Sequence, residues 1–255
     1  MIPADDRGLT LGDGLFETIL SRDGELVLLE AHLDRMARGC ETLGLPPLDR
    51  MRAQRLCEEA AATVAGRAAV RLTLTAGSGG RGLDRLASPY PRLFATAAPS
   101  AKPQTPATLI TATVRRNEGS PASRLKSLSY LDNVLARDEA RAAGADEGLM
   151  LNNQGHVACA AAANIFWLEG GRLVTPALQS GVLDGIMRAK TIESAGLIGL
   201  PVEESCVEPA RLTHAEAIFL TSSLIGLRPV GALNGKQFGP NAVIGRLAVL
   251  LQSFG

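Results

Sequence analysis

The sequence lacks an excess of charge of one sign, because 26 Lys and Arg residues balance 26 Asp and Glu residues. Without a basic stripe, neither a nucleic-acid surface nor an anionic membrane surface is supported by the composition. Aromatic residues make up only 4% of the chain, which argues against a platform for stacking bases or sugars. We therefore expect a protein that acts on a small molecule and binds no nucleic acid.

Long apolar runs are also missing, since charge or glycine interrupts each one well short of the roughly 20 residues that span a bilayer. The N-terminal stretch MIPADDRGLTLGDG is acidic where a secretory signal is basic. The four cysteines, Cys40, Cys57, Cys159 and Cys206, form no CxxC pair, and a chain of 255 residues needs no disulfide framework. These features predict a cytoplasmic protein without a membrane segment.

Periodic apolar positions predict a mixture of strands and helices in both halves of the chain. The predicted strands cover 15–20, 26–29, 67–75, 92–98, 108–114, 147–151, 163–168, 172–175 and 216–221. The predicted helices cover 33–43, 50–65, 129–143, 184–198 and 241–252. The stretch PSAKPQTP (99–106) has the composition of a linker, so we predict an N-terminal domain at 1–102, a linker at 103–107 and a C-terminal domain at 108–255. The expected fold class is α/β or α+β, with two domains and a cleft between them.

Gly77, Gly79 and Gly82 match the GxGxxG spacing of dinucleotide-binding folds. No helix is predicted to begin there, and no acidic residue follows about 20 positions later. The alternatives are a flexible surface turn and a loop that presents Arg81 to a substrate.

Ser123 and Lys126 form the SxxK pair of a class of serine hydrolases, which is our alternative from a different enzyme class. The companion signatures SDN and KTG are missing. The three histidines, His32, His156 and His214, do not form a metal-binding pattern, so we expect no metal. Lys126 is either a surface residue or, if buried, an amine able to form a Schiff base with an aldehyde.

Groups able to bind a phosphate occur in three places. They are Arg35 on a predicted helix, the helix start at 185–187, and Ser222 with Ser223 after a predicted strand. Each alone is weak evidence, but their order along the chain is informative.

The successive motifs of the sequence resemble those of the class IV (fold type IV) pyridoxal-phosphate enzymes. They are LGDGLFETI (11–19), HLDRM (32–36), GSGGRG (77–82), RLKSLSYLDNVLA (124–136), GADEGLML (144–151), NIFW (164–167), LVTP (173–176), LDGIMR (183–188) and TSSLIGLRPV (221–230). The resemblance implies a smaller N-terminal and a larger C-terminal domain, pyridoxal 5′-phosphate (PLP) in the cleft between them, and a homodimer. That family includes branched-chain aminotransferases, D-amino-acid aminotransferases and aminodeoxychorismate lyases.

The resemblance also implies roles for individual residues. Lys126 matches the lysine that binds PLP covalently and then acts as general acid and base. The groups that match the phosphate site are Arg35, the backbone of Ile186 and Met187, and the hydroxyls of Ser222 and Ser223.

Two features favour the lyase within that family. Thr18, after Phe16 and Glu17, is similar to the lyase residue, whereas aminotransferases tend to have Gly or Val there. Its hydroxyl could relay a proton while pyruvate leaves 4-amino-4-deoxychorismate, giving 4-aminobenzoate for folate synthesis; the alternative is that Thr18 is only a strand former. Arg81 in the glycine-rich loop could bind a substrate carboxylate. An amino-acid aminotransferase of the branched-chain or D-specific type remains the other hypothesis.

Three positions depart from the family pattern. Cys159 stands five residues before Asn164, where a Glu usually keeps the pyridine nitrogen of the cofactor protonated. Ala76 and Leu83 replace the Arg and Tyr that usually flank the loop in the lyases. These departures allow an active enzyme with an altered electron sink, a different substrate, or weak transaminase activity.

Overall fold

The computed structural model describes residues 2–254, which form α and β structure in two compact units. The helices are α1 (Arg7–Leu11), α2 (Leu29–Leu43), α3 (Arg50–Ala61), α4 (Pro121–Arg124), α5 (Leu131–Ala142), α6 (Ile186–Leu197) and α7 (Ala242–Leu250). The strands are β1 (Gly14–Arg22), β2 (Glu25–Leu26), β3 (Arg67–Thr75), β4 (Arg92–Pro99), β5 (Ala107–Arg116), β6 (Glu147–Asn152), β7 (Val157–Ala160), β8 (Asn164–Glu169), β9 (Arg172–Pro176), β10 (Val202–Ser205), β11 (Ala217–Ser222), β12 (Gly226–Leu233) and β13 (Lys236–Gln237). The mixed α/β prediction is confirmed.

The first unit contains the residues up to Ala101 together with Leu125–Ser129. Its antiparallel sheet has the order β2-β1-β3-β4, and α2 and α3 pack on it. The hairpin predicted near residue 20 is present, but its second strand is short because Leu28 takes a left-handed conformation and α2 begins at once. Gly44, also left-handed, ends α2 as its sequence position predicts.

The two faces of β1 have different neighbours. Leu15 and Ile19 belong to the same buried cluster as Leu33 of α2, so this face of the strand packs on the helix. Because side chains alternate along a strand, Phe16 and Thr18 lie on the opposite face of the sheet. The alternation therefore separates the Phe16 side of the unit from the helix side.

The segment Leu125–Ser129 extends the hydrogen bonding of β1. The Phe16 N–H donates to the Lys126 carbonyl at 2.9 Å, and the Leu128 N–H donates to the Gly14 carbonyl at 3.0 Å. Through these bonds residues 125–129 belong to the first unit, although the residues before and after them in the sequence belong to the second. The predicted domain boundary, with a linker at 103–107, assigns all of 108–255 to the C-terminal domain and so does not anticipate this return of the chain. The boundary itself stays a prediction.

The second unit contains Lys102–Arg124 and the chain from Tyr130 onward. Its sheet has the order β10-β9-β8-β11-β12-β5-β6-β7, with β13 paired to β12, and it mixes parallel and antiparallel pairs. α5 packs on β5 and β6, and α6 packs on β11. The core includes the fully buried Trp167 and the stacked rings of Phe166 and Phe219, whose centroids are 5.2 Å apart.

Several elements differ from the sequence expectation. β12 contains Gly226, Pro229 and Gly231, residues that weaken a strand signal, yet it pairs with both β11 and β5. α3 ends at Ala61, because Thr63 bonds back to the Ala60 carbonyl where the predicted helix would continue. The short α1, β7 and β10 have too few residues for a clear period. Among the described residues, no helix combines the length and apolarity needed to cross a bilayer.

Candidate active site

The side chain of Lys126 lies beside Phe16 in the first unit. Its Nζ is 4.3 Å from the centroid of the Phe16 ring, and the Arg71 Cζ is 3.8 Å from the same centroid. Both distances are within cation–π range. Arg71 on β3 stands directly opposite Thr18 on β1, and Thr18 is half-buried. The strand pairing therefore brings Lys126, Arg71 and Thr18 to the Phe16 side of the sheet.

Arg35 lies on the helix side, where Glu17 accepts its hydrogen bonds. The Arg35 Nε donates to Glu17 Oε1 at 2.8 Å, and Arg35 Nη2 donates to Oε2 at 2.6 Å. The His32 Nδ1 lies 2.7 Å from the same Oε2. The side chains of Glu17 and His32 are each 1% exposed, and that of Arg35 is 12% exposed. These three side chains form a compact buried network between β1 and α2.

Burial and the contacts among the three side chains together set the charges in this network. Burial pushes the pKa of Glu17 upward, but the Arg35 charge and the bonds from Arg35 and His32 outweigh it and lower that pKa to about 2. The pKa of His32 is lowered, because burial disfavours the imidazolium more than Glu17 favours it. Glu17 is thus an ionised acceptor at neutral pH, and we infer that a neutral His32 donates to it from Nδ1–H.

The glycine-rich loop is anchored by another arginine. The Arg7 guanidinium donates to the carbonyls of Gly82, Leu83 and Asp84 at 3.3, 2.9 and 3.0 Å. Arg81 itself is exposed, and within residues 2–254 its guanidinium makes no hydrogen bond or ion pair. The loop therefore presents Arg81 to solvent, and the GxGxxG spacing here precedes irregular chain without a helix.

The start of α6 in the second unit offers backbone donors. Gly185 is the N-cap, no side chain caps the helix, and the first-turn amides of Ile186 and Met187 have no partner inside the helix. Asn164 holds this turn, since its Nδ2 donates to the Leu183 carbonyl at 3.0 Å. A Cβ on Gly185 would lie 2.0 Å from the Asn164 Oδ1, so the close approach requires glycine.

Hydroxyl groups occur at the strand end next to this turn. Thr221 stands opposite Asn164 in the β8–β11 pairing, and Ser222 and Ser223 follow it directly. The Thr221 Oγ1 is buried and finds no hydrogen-bond partner among the described residues. Asn164 thus links the hydroxyls at the end of β11 to the uncapped start of α6, an arrangement suited to a phosphate group.

Cys159 lies in β7, opposite Met150. Cys159 belongs to a buried apolar cluster with Ala112, Ala136, Met150, Ala158, Ala161 and Val182. Burial is the main cause that raises the pKa of Cys159, so the thiol is neutral at physiological pH. The charge of the buried Arg116 acts in the opposite direction on this pKa, and the charge of Glu147 adds to the increase. A neutral thiol therefore occupies the position where the motif pattern has a carboxylate.

A family model described as amino-transferase class IV matches residues 14–233. The chain belongs to this family. The match includes both Ser123 and Lys126, so class IV membership, and not a serine hydrolase, accounts for the SxxK spacing. As a member of the class IV aminotransferases, the protein is a PLP-dependent enzyme with the type IV fold.

Three known proteins illustrate the similarity. A protein of Methanocaldococcus jannaschii, named provisionally as a branched-chain-amino-acid aminotransferase, is 32% identical over 97% of this chain and 87% of its own length. The crystal structure of 4-amino-4-deoxychorismate lyase from Pseudomonas aeruginosa is 33% identical, with a TM-score of 0.90 over 99% of this chain and 94% of that chain. A hypothetical aminotransferase from Mycobacterium tuberculosis, in a PLP-bound form, is 25% identical, with a TM-score of 0.88 over 100% and 93% of the two chains.

The residues present fit the PLP expected in a class IV aminotransferase. The partnerless Thr221 hydroxyl and the uncapped start of α6 are donors that a phosphate would satisfy. Lys126 supplies a half-buried amine beside an aromatic ring. The roles of Lys126, Arg35, Ile186, Met187, Ser222 and Ser223 in binding PLP stay predictions.

Sequence reasoning missed several residues that neighbour the predicted site residues within each unit. Arg71 and Asn164 were not singled out, because only the pairing of β1 with β3 and of β8 with β11 reveals their neighbours. Glu17 carried a signal, since it is a charged residue between Leu15 and Ile19 on the core side of an alternating strand. His32 could have been found three residues before Arg35, which places both on one side of a helix.

Proposed function

We propose that this enzyme eliminates pyruvate from 4-amino-4-deoxychorismate and releases 4-aminobenzoate. The observation that carries this proposal is the grouping of Thr18 and Lys126 on the Phe16 side of the first sheet, with Arg71 opposite Thr18. It supplies an amine, a hydroxyl and a cation together. The lyase of Pseudomonas aeruginosa, similar over nearly the whole chain, supports the same choice.

Lys126 would hold PLP in the resting enzyme. Once the amino group of the substrate has taken the place of Lys126 on the cofactor, PLP would supply an electron sink for the carbon that bears this group, and the Lys126 amine would be free. The Lys126 amine removes the proton from that carbon, and the adjacent C–O bond to the enolpyruvyl group breaks. The electron pair of the C–H bond forms the new ring double bond, and the leaving oxygen takes the electrons of the C–O bond. We assign Thr18 to donate a proton to that oxygen, with Lys126 returning the abstracted proton to restore the hydroxyl.

Arginines provide the charge complement for the substrate, which carries two carboxylates. Arg71 is exposed and contacts the Phe16 ring, as Lys126 does, and Arg81 is exposed on the glycine-rich loop. A charged hydrogen bond to a carboxylate stabilises a complex by roughly 1.5–3 kcal/mol, and the guanidinium can make two in parallel. We assign Arg71 to the carboxylate nearest the reacting carbon and Arg81 to the second one.

For the cofactor, we assign the phosphate to Arg35, to the amides of Ile186 and Met187, and to the hydroxyls of Ser222 and Ser223. Cys159 is assigned to the pyridine ring, where its neutral thiol gives less support to a protonated nitrogen than a carboxylate does. The elimination yields an aromatic product, and this driving force lowers its demand on the electron sink. We also propose that the protein is cytoplasmic and forms a homodimer. Light scattering on the purified protein measures its mass and so tests the dimer.

Amino transfer from an amino acid to a 2-oxo acid is the second candidate. The provisional branched-chain aminotransferase of Methanocaldococcus jannaschii favours it by its similarity over 97% of this chain. Arg71 also suits the α-carboxylate of an amino acid. Amino transfer differs from elimination because it needs an acceptor oxo acid.

The experiment that separates the two uses purified protein with 4-amino-4-deoxychorismate and no oxo acid. If the enzyme is a lyase, we expect equal amounts of pyruvate and 4-aminobenzoate. Thr18→Val is expected to lower kcat by about 10²-fold, a typical contribution of a proton-transfer group, whereas Thr18→Ser keeps most of the rate. Turnover that requires an oxo acid and produces no 4-aminobenzoate would reject the lyase and support the aminotransferase.

A further inference from the structure

Glu17 is an unusual residue for its position in β1. Its neighbours on the same face, Leu15 and Ile19, are core residues, and its own side chain is 1% exposed. A buried carboxylate costs free energy unless charged or polar partners compensate it, and an apolar residue of similar size would often be as stable. Stability of the core alone therefore does not explain why Glu17 contacts Arg35 and His32.

The geometry of the contact restricts Arg35. The Glu17 carboxylate binds the Nε and Nη2 edge of the guanidinium with both oxygens, at 2.8 and 2.6 Å. A two-point contact fixes the plane of a guanidinium as well as its position. Without it, a long side chain on α2 would have to lose its rotamer freedom when a ligand binds.

His32 in turn restricts Glu17. It lies three residues before Arg35 on α2, so both residues reach the same carboxylate from one side of the helix. The His32 Nδ1 is 2.7 Å from the Oε2 that also accepts from Arg35 Nη2. The carboxylate is held from two points of one rigid helix.

We propose that Glu17 and His32 are positioning residues, which hold the guanidinium of Arg35 in the orientation that binds the phosphate group of PLP. This inference rests on the proposed role of Arg35 in the phosphate site. It adds that the orientation of Arg35, and not its charge alone, determines how strongly the phosphate is bound.

Charge and orientation predict opposite effects for Glu17→Gln. This change removes a negative charge next to Arg35, so an effect of charge alone would strengthen binding of a phosphate anion. It also breaks the two-point contact, because the Gln amide nitrogen is a donor and faces a guanidinium that has only donors. Positioning therefore predicts weaker binding of the phosphate group.

The test measures the phosphate contribution directly as the ratio of two dissociation constants, that of pyridoxal divided by that of PLP. Full-length protein is freed of cofactor and titrated with each compound. We expect Glu17→Gln and Glu17→Asp to lower the ratio by about tenfold, the effect of a weakened charged hydrogen bond, with little change in pyridoxal binding. His32→Asn, whose amide can still donate near the Nδ1 position, should lower it less.

Asp34→Asn is the matched control, since Asp34 also lies on α2 and pairs with an arginine, Arg50, but on the exposed surface. It should leave the ratio unchanged. Glu17→Asp keeps the charge and serves if Glu17→Gln does not fold, which thermal unfolding of each variant checks. A ratio that stays constant or rises in both Glu17 variants would overturn positioning.

Two reference measurements distinguish this inference from the proposed function. Arg35→Ala should abolish most of the phosphate contribution; if it does not, Arg35 is not the phosphate ligand and the positioning proposal falls with that assignment alone. Borohydride reduction of the wild-type protein loaded with PLP should label the peptide that contains Lys126. If no label appears there, the proposed function itself fails, whatever the Glu17 variants do.

Discussion

The Glu17→Gln substitution should also destabilise the first unit in a pH-dependent way. Glu17 is ionised and accepts hydrogen bonds from Arg35 and His32 inside the protein. Replacing it leaves the Arg35 guanidinium without its buried counter-charge. Breaking a buried ion pair by removing one partner typically costs 3–5 kcal/mol of unfolding free energy, as an order of magnitude.

The pKa gives an independent magnitude. The pKa of Glu17 falls from 4.5 to about 2 on folding, with burial opposing the decrease and Arg35 and His32 causing it. Since one pKa unit corresponds to about 1.4 kcal/mol, the charged form contributes on the order of 3 kcal/mol at neutral pH. We therefore expect Glu17→Gln to lower the unfolding free energy of this unit by about 3 kcal/mol at pH 7.

The sign of the pH dependence follows from the same shift. Between pH 4.5 and about 2 the unfolded chain binds a proton at Glu17 while the folded chain does not, so acid favours unfolding. His32 acts in the same direction from pH 6.5 downward, because its pKa is also lowered in the folded protein. In Glu17→Gln the contribution of Glu17 is missing at every pH. The difference between wild type and variant should thus decrease as the pH falls from about 4.5 toward 2.

Buried thiols provide the assay. Cys40 and Cys57 are fully buried in the core of the first unit, whereas Trp167, the single tryptophan, lies in the second unit and would report the wrong one. Urea titrations from pH 7 to pH 3, each followed by a brief pulse of a pyridyl disulfide and mass spectrometry, give the unfolding free energy at Cys40 and Cys57.

Glu30→Gln is the control for this measurement, because Glu30 lies in the same unit as Cys40 and Cys57. Glu30 pairs with Arg50 at 2.6 Å, but its side chain is 72% exposed. Solvent screens such a pair, so we expect only a small loss of stability. A loss in Glu17→Gln that stays constant from pH 7 to pH 3, or that is no larger than the loss in Glu30→Gln, would refute the buried ion pair as its cause.

Three further predictions concern the cofactor and substrate. Cys159→Glu should raise the rate of amino transfer, because it restores a carboxylate that the Arg116 charge helps to keep ionised; unchanged single-turnover kinetics would mean that the ring needs no such partner. Gly185→Ala should weaken PLP binding more than about tenfold in an equilibrium titration, since its Cβ would lie 2.0 Å from the Asn164 Oδ1. Gly196→Ala is the control and should leave PLP binding unchanged, because a Cβ there meets no atom within 4 Å. Arg71→Gln should raise KM for 4-amino-4-deoxychorismate by about 10-fold to 10²-fold in steady-state assays, while Arg22→Gln on the neighbouring strand leaves it unchanged. A KM of Arg71→Gln equal to that of the wild type would contradict the carboxylate role of Arg71.

Local patterns determined most of the first unit in advance. The alternation over 67–75 predicts β3 with the bounds that the structure has, and Gly44 ends α2 where the apolar period stops. Such features depend on residues a few positions apart, so short-range spacing suffices. The order of the motifs likewise indicates the family, and the resemblance then implies roles for Lys126, Arg35 and Ser222.

Only the tertiary structure decided which side chains meet. Pairing of β1 with β3 places Arg71 opposite Thr18, and pairing of β8 with β11 places Thr221 opposite Asn164. The return of Leu125–Ser129 to β1 brings Lys126 to Phe16, although more than a hundred positions separate them in the sequence. A strand pattern specifies which face a residue occupies but not which distant strand it pairs with, and that register depends on the packing of the whole unit.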